Sequence, residues 1–331
     1  MTHTNRQEHR LSLSAAIVGA IVGAALAVTG CAVPLEEPGI GAEAPAAGPL
    51  GKADSAGSSF DPELCAYDPA DPYEPRARFE LGPWTGECLD TQIRRPVEVL
   101  ASPDQSSNSL ELANVFHDDG YWFASIPTDA IKNVYFQLEY FPAIVPAGHT
   151  QIRIEFSEPV ILSGHSSWNL EDEQEVYNLV LSAEAVPRIG DNYDLFRGVR
   201  DHFGLALRVT SLAARYDSMI VEQDHHVEQW RLMLTEEEEV DLLTFYAEQS
   251  DELGLGSTYH TISRNCTTEM VRSLDGVVHY TAGEQIRRFL VRATEFYPNI
   301  VRTALIARGL LPLNQSTDWY ALEEDPSFPR Q

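Results

Sequence analysis

The chain has 331 residues and a formal net charge of −27, from 50 acidic against 23 lysine and arginine side chains. That length can bury a sizeable core and allows one large domain, or a domain with an appendage. Such an acidic surface makes a poor partner for nucleic acid or for anionic headgroups, and reads first as a solvated exterior.

The first segment stands outside the fold. "MTHTNRQEHR" carries Arg6 and Arg10, and the uncharged apolar run "LSLSAAIVGAIVGAALAVTG" leads from it to Cys31. A positive start, an apolar middle and small residues ahead of a cleavage point make an export signal. The run "AVTGC" resembles a lipobox, so residues 1–31 are expected to be a lipoprotein signal ending on a lipidated Cys31. An ordinary signal peptide or one membrane-spanning helix is the alternative, since the run is close to the length that spans a bilayer. Residues 32–60 are rich in Ala, Pro and Gly without apolar periodicity, and read as a flexible linker.

Residues 61–125 are dominated by prolines, turns and short aromatic strands, as in "LELANVFHDDGYWFASIP". They are expected to form a small β-rich region packed on the domain after it. An exported chain keeps disulfides, and Cys65 and Cys88 lie close together in this loop-rich stretch, so they are the natural pair. Cys266 is then left over, with a bond from Cys65 or Cys88 to Cys266 as the alternative.

From about residue 126 to 312 the pattern is more regular. "VYFQLEYF" (134–141) reads as a strand, and "HTQIRIEF" (149–156) alternates, with Thr150, Ile152, Ile154 and Phe156 on one face. "SEP" then reads as a turn and "VILSGH" (160–165) as the return strand of a hairpin. "QWRLMLT" is a further strand, or the start of a helix. Thr235 and Glu238 make a capping box for a helix closed by Gly254, with acids in the first turn to suit the helix dipole. Asn265 caps a second helix, "CTTEMVRSLDG", expected to stop at Gly276. Residues 281–311 read as a helical pair or a helix kinked at Pro298, and 313–331 as a polar tail. The expected class is α+β, with an antiparallel sheet and helices on one side.

Cys266 carries the chemistry the sequence offers. At a helix N-terminus the free N–H groups and the dipole favour a thiolate, and the same groups can hold an oxyanion. A cysteine in that place is also a common structural residue. A nucleophile needs a base, and His149, on the polar side of its strand, is the candidate. His165 lies on the expected return strand, and with an odd number of residues in the hairpin loop it would share a face with His149 and orient it. "GHSSW" (164–168) lacks the closing glycine of a serine-hydrolase elbow. "DHH" (224–226) has neither an HExxH motif nor a cysteine pair beside it, so no metal and no cofactor is expected.

The blocks "AGHTQIRIEF", "LSGHSSW", "WRLMLTEEEEVDLL" and "YHTISRNCTTEMVRSLDG", in that order and spacing, resemble the Lnb N-terminal periplasmic domain family over roughly residues 130–310. That family shows a His at a strand start, a Ser-x-Glu on the next strand and a Tyr followed by Asn-Cys-Thr. It is similar in plan to circularly permuted papain-like proteins such as the lecithin–retinol acyltransferase and NlpC groups. The resemblance implies that Cys266 is the nucleophile and His149 the base, with Asn265 and Tyr259 at the oxyanion or positioning the thiol. It places the family's Ser-x-Glu on Ser163, Gly164 and His165, so that a histidine stands for the glutamate. The family's named member is a lipoprotein N-acyltransferase with a membrane-embedded C-terminal part.

These signals allow three functional readings. One is a lipid-anchored envelope enzyme, on the periplasmic face of the outer membrane or at the cell surface, forming an acyl-cysteine with lipid or lipoprotein substrates. The others are a cell-wall cysteine peptidase or amidase with the same dyad, and a non-catalytic binding lipoprotein on the same scaffold.

Overall fold

The structure is a computed structural model that describes residues 65, 71–75, 84, 86–92, 94–103, 107–141, 148–164, 172–292, 298–312 and 319–325. All of these belong to one compact unit, Phe60–Gln331. Cys31 and the linker expected over 32–60 lie outside the described residues.

The strands are β1 (Glu98–Ala101), β2 (Ser109–His117), β3 (Gly120–Pro127), β4 (Ile131–Tyr140), β5 (Gly148–Ser163), β6 (Glu173–Val186), β7 (Phe203–Ser211), β8 (His226–Arg231), β9 (Thr258–Tyr259) and β10 (Trp319–Ala321). They form a single sheet in the order β1-β2-β7-β6-β5-β4-β8-β10, with β3 paired to β2 and β5 and β9 paired to β7. All pairings are antiparallel except the one bridge between β2 and β7. The helices are α1 (Leu195–Gly198), α2 (Leu212–Tyr216), α3 (Glu236–Leu253), α4 (Cys266–Val277), α5 (Ala282–Val291) and α6 (Val301–Ala307), and a π-turn, Asp217–Glu222, continues α2. The mixture of one sheet with helices is the expected α+β class. Among the described residues no helix is long and apolar enough to cross a membrane.

The alternation read in β5 sets the two faces. Ile152, Ile154 and Phe156 join the main core with Phe136, Leu138, Leu179 and Leu181, beneath Leu242, Tyr246, Met270 and Leu274 of α3 and α4. The caps act as the sequence indicates: Thr235 and Glu238 close a reciprocal box at the start of α3, and Asn265 and Thr268 do so for α4. Gly276 lies inside α4 rather than ending it. A Cβ there would come within 2.8 Å of the Phe245 ring, so a larger residue would have to push that ring aside between α3 and α4.

Four expectations are corrected. The hairpin 149–165 does not exist: β5 runs unbroken through Ser157-Glu158-Pro159, which forms an irregularity between Glu155 and Val160 in its pairing with β6. Bulges accommodate a proline at a point where the ladder is already interrupted. The region 61–125 is not a body packed on the next one. β3 crosses residue 125 and pairs with β5 (Ala124 with Leu162), because its apolar alternation completes the same core.

The segment 313–331 is not merely a polar tail: β10 adds an edge strand to β8, and Leu322 and Asp325 are buried. Nor are the helices on one side. α2 and the π-turn cover the reverse face, where Leu212 and Met219 pack on Val180, Val227 and Leu322. The reason is chemical: that face carries Gln137, Gln151, Arg153, Arg208 and Gln229, all buried, and buried polar groups need partners rather than bulk apolar cover. The Cys65–Cys88 disulfide is present, and Cys266 is free.

Candidate active site

Cys266 is the first residue of α4 and is 4 % exposed. Its position comes from the cap. Asn265 Oδ1 accepts the Thr268 N–H at 2.9 Å, and the Asn265 amide donates to the Thr261 carbonyl at 2.6 Å. Both ends of the Asn265 side chain are therefore engaged in holding the turn, which makes it a positioning residue. The same turn is fastened to β5: Thr150 Oγ1 donates to Thr267 Oγ1 at 3.2 Å, both groups being buried.

That bond sets the helix start beside His149, the second residue of β5. Gly148 before it is required, since a Cβ would lie 2.7 Å from the Glu139 carbonyl of the neighbouring strand. His149 and Cys266 come into electrostatic and hydrogen-bonding contact. The other side of the imidazole faces Glu184 on β6, with Nε2 3.5 Å from Oε1.

Glu184 is held as an anion. Burial would raise its carboxyl, but His149, Arg215, Arg94 and Arg208 overcome that and hold it far below the usual range. Arg215 Nη1 lies 3.6 Å from Glu184 Oε1, and Ser182 Oγ donates to the same oxygen at 3.1 Å. Arg215 is fixed in turn by two bonds to Gln151 Oε1, of 3.0 and 2.8 Å.

The charges line up. For His149, burial opposes the cation, yet Glu184 and then Cys266 raise the imidazole to about 9. For Cys266, burial opposes the thiolate, yet His149, by charge and by hydrogen bond, lowers the thiol to about 7. Between those values the pair is a thiolate beside an imidazolium, titrating as a coupled unit.

Tyr259, on β9, is buried beside the Cys266 backbone. Burial and the neighbouring thiolate hold this phenol well above its ordinary value, so it stays protonated. Tyr193 packs edge-on against Tyr259 at 6.0 Å and bonds Thr261 Oγ1 at 3.1 Å, lying over this end of the site.

His165 lies outside the described residues. The return strand that was to carry it opposite His149 is absent, and β5 ends at Ser163, fourteen residues past His149. That separation is roughly 45 Å of extended chain. The strand actually beside β5 at this end is β6, and its Ser182-Ala183-Glu184 is a Ser-x-Glu on the strand next to His149. Glu184 is the residue that sequence reasoning missed. Its signal was present as a single acid inside the apolar run "LVLSAEAV". Arg215 and Tyr193 had no such signal. His260 shapes a loop instead, its Nδ1 accepting the N–H groups of Ile262 and Ser263. His225 and His226 pair with different acids, Glu139 at 2.6 Å and Glu323 at 3.1 Å. Among the described residues no group of three or more His, Cys, Asp or Glu is placed to hold a metal ion.

This geometry coincides with the family comparison: the Lnb N-terminal periplasmic domain matches residues 118–296, more than half of the chain. The chain belongs to the Lnb N-terminal periplasmic domain family. The match encloses His149, Glu184, Tyr259 and Cys266, and begins within the β2–β3 turn. As a member of a periplasmic domain family, the protein is assigned to the cell envelope. No curated protein and no solved structure matches it.

Proposed function

We propose that this Lnb-type domain is a thiol enzyme in which Cys266 is the nucleophile, His149 the base and Glu184 the acid that orients His149. The observation that carries this reading is the chain of contacts from a free cysteine at a helix start to a strand histidine and on to a buried carboxylate. The histidine precedes the cysteine in the chain, one on a strand of the sheet and the other on a helix packed against it, and this order supports reading the domain as a permuted papain-like fold.

The thiolate adds to an acyl carbon, and the carbonyl pair moves onto oxygen. The oxyanion is assigned to the Tyr259 hydroxyl, which burial keeps protonated beside Cys266, with the dipole of α4 favouring the negative charge. With Nε2 held toward Glu184, Nδ1 gives its proton to the departing alcohol or amine as the C–O or C–N bond breaks, leaving an acyl-thioester on Cys266. An acceptor amine, alcohol or water then adds to that thioester and gives its proton back to His149, and the thiolate leaves. Lipid or lipoprotein acyl groups are the substrates supported by the family's named acyltransferase. Cys31 is proposed as the lipid anchor that keeps the domain at its membrane.

Intact-mass analysis after incubation with phospholipid vesicles tests the reading. A hydroxylamine-labile acyl adduct is expected on Cys266 in the wild type and no adduct in Cys266→Ala. The loss of turnover in that variant should reach several orders of magnitude, on the order of 10⁴-fold. An adduct that persists in Cys266→Ala, or a thiol alkylated no faster than free cysteine, would overturn the reading.

A further inference from the structure

α5 turns its apolar side outward. Ile286, Phe289 and Leu290 are 65, 75 and 55 % exposed and stand at i, i+3 and i+4, one continuous stripe on a helix. The outward orientation is fixed from the other side. Glu284 is buried, caps the helix through Thr281 and lies against Gly309, where a Cβ would sit 2.6 Å from its Oε1. Arg287 Nε donates to the Ala307 carbonyl at 2.8 Å. Rotating the stripe inward would break all of these contacts. Other exposed apolar residues such as Val221 and Ile189 are isolated, which is ordinary for a protein surface.

The charge around the stripe departs from the rest of the molecule. Residues 264–308 hold seven arginines against four acids, in a chain where acids outnumber bases by about two to one. Arg288 is about two-fifths exposed, with its Nε 3.6 Å from Asp275 Oδ2, and Arg292 is exposed, both beside Phe289 along a groove of about 710 Å³ that Asp275 also lines. That groove runs on to Ile262 and to Thr268, two residues after Cys266.

We propose that the α5 stripe is a membrane-docking surface: Ile286, Phe289 and Leu290 enter the headgroup–acyl boundary of a phospholipid bilayer, and Arg288 and Arg292 meet the phosphates. An apolar face flanked by arginine on a helix lying in the interface is the chemistry such a surface uses. Long arginine stems keep the cation at phosphate level while the apolar side chains go deeper. A symmetric contact between two copies would gather Arg288 and Arg292 of both into one interface, and that concentration of like charge opposes a dimer through this face. Docking here brings the bilayer surface to the groove that ends at the first turn of α4. The inference does not depend on catalysis at Cys266.

Hydroxyl-radical footprinting of the full chain, with and without phosphatidylethanolamine/phosphatidylglycerol vesicles, tests it residue by residue, whatever else tethers the chain. Labelling of Ile286, Phe289 and Leu290 should fall at least about fivefold on vesicles, as expected for side chains sunk below the headgroups. Val221, on the opposite side of the sheet, should be unchanged. Arg292→Glu should weaken the protection. Vesicle-bound chain with the three residues still fully labelled would overturn the proposal. So would protection that needs no vesicles and grows with protein concentration, which would make the stripe a contact between copies.

Discussion

The two faces of the central sheet are both buried, yet they are held by opposite chemistry. On one, Phe136, Ile152, Ile154, Leu179 and Leu181 pack under α3 and α4 without a charge among them. On the other, the same strands bury Gln137, Gln151, Arg153 and Ser182, and β8 adds Gln229. There Arg153 pairs with Asp325 and bonds Asn178 and Gln229, while Gln151 bridges Gln137 and Arg215. The apolar face fixes where α4 starts, because Met270, Val271 and Leu274 seat it on β5 and β6. The polar face fixes the charge: Arg215, braced by Gln151, keeps Glu184 ionised, and Glu184 keeps His149 cationic. Position and ionisation of one thiol thus come from opposite sides of one sheet.

Removing one partner on the polar face should have the largest effect on folding. Asp325→Ala leaves the fully buried Arg153 without its carboxylate, and a broken buried pair costs about 4 kcal/mol. Urea denaturation should show that loss, and a double variant, Arg153→Met with Asp325→Ala, should recover most of it. No recovery would mean that the tail holds the fold by packing rather than by charge.

On the apolar face, Leu181→Ala removes a fully buried side chain and should cost about 3 kcal/mol by transfer and cavity together. Its thermal midpoint should fall while the pH dependence of Cys266 alkylation stays as in the wild type. A shifted thiol would show that the two faces are not separable.

Glu184→Gln sharpens the comparison in the reverse sense. Without the carboxylate the imidazole drops from about 9, the thiolate loses its cation, and the thiol rises from about 7. Alkylation of the wild type should reach half its limit near pH 7, with acyl transfer declining again near pH 9. In Glu184→Gln the rising limb should move up by about one unit or more, equivalent to about 1.4 kcal/mol per unit. For stability the signs differ by group. The His149 contribution is complete below its unfolded value near 6.5 and is lost as pH climbs through about 9. The depressed Glu184 contributes above its ordinary carboxyl range and is lost as pH falls below it. A Glu184→Gln thiol that titrates like the wild type would remove Glu184 from the site.

The smallest effect is expected at the fastening between helix and strand. Thr267→Val deletes the bond from Thr150 and should cost about 1 kcal/mol. If that fastening sets the distance from thiol to imidazole, acyl transfer should fall by more than the stability does. Equal changes would give Thr267 a purely structural role.

Much of the site could be read from the sequence because its signals are local. The Asn265 cap ahead of Cys266, the Thr235–Glu238 box and the alternation after His149 each span only a few residues. The nearness of Cys65 to Cys88 is a local signal of the same kind. The proline in "SEP" misled for the same reason: taken alone it reads as a turn, and only the pairing of 161–163 with both β3 and β6 makes it an irregularity in one long strand. The expected turn is also what set His165 opposite His149 in the sequence reading.

The sequence by itself determined the helix that presents the cysteine, the strand that begins at the histidine, the disulfide pair and the α+β class, since backbone caps and side-chain periodicity are settled within one or two turns of chain. The tertiary structure decided the acid and its support. Glu184 meets His149 across thirty-five residues through the register of β5 on β6, and Arg215 arrives from a helix on the far face. Asp325 reaches Arg153 from near the end of the chain. Strand register and the burial of opposite charges depend on the whole sheet closing over them, and no short window of residues carries that information.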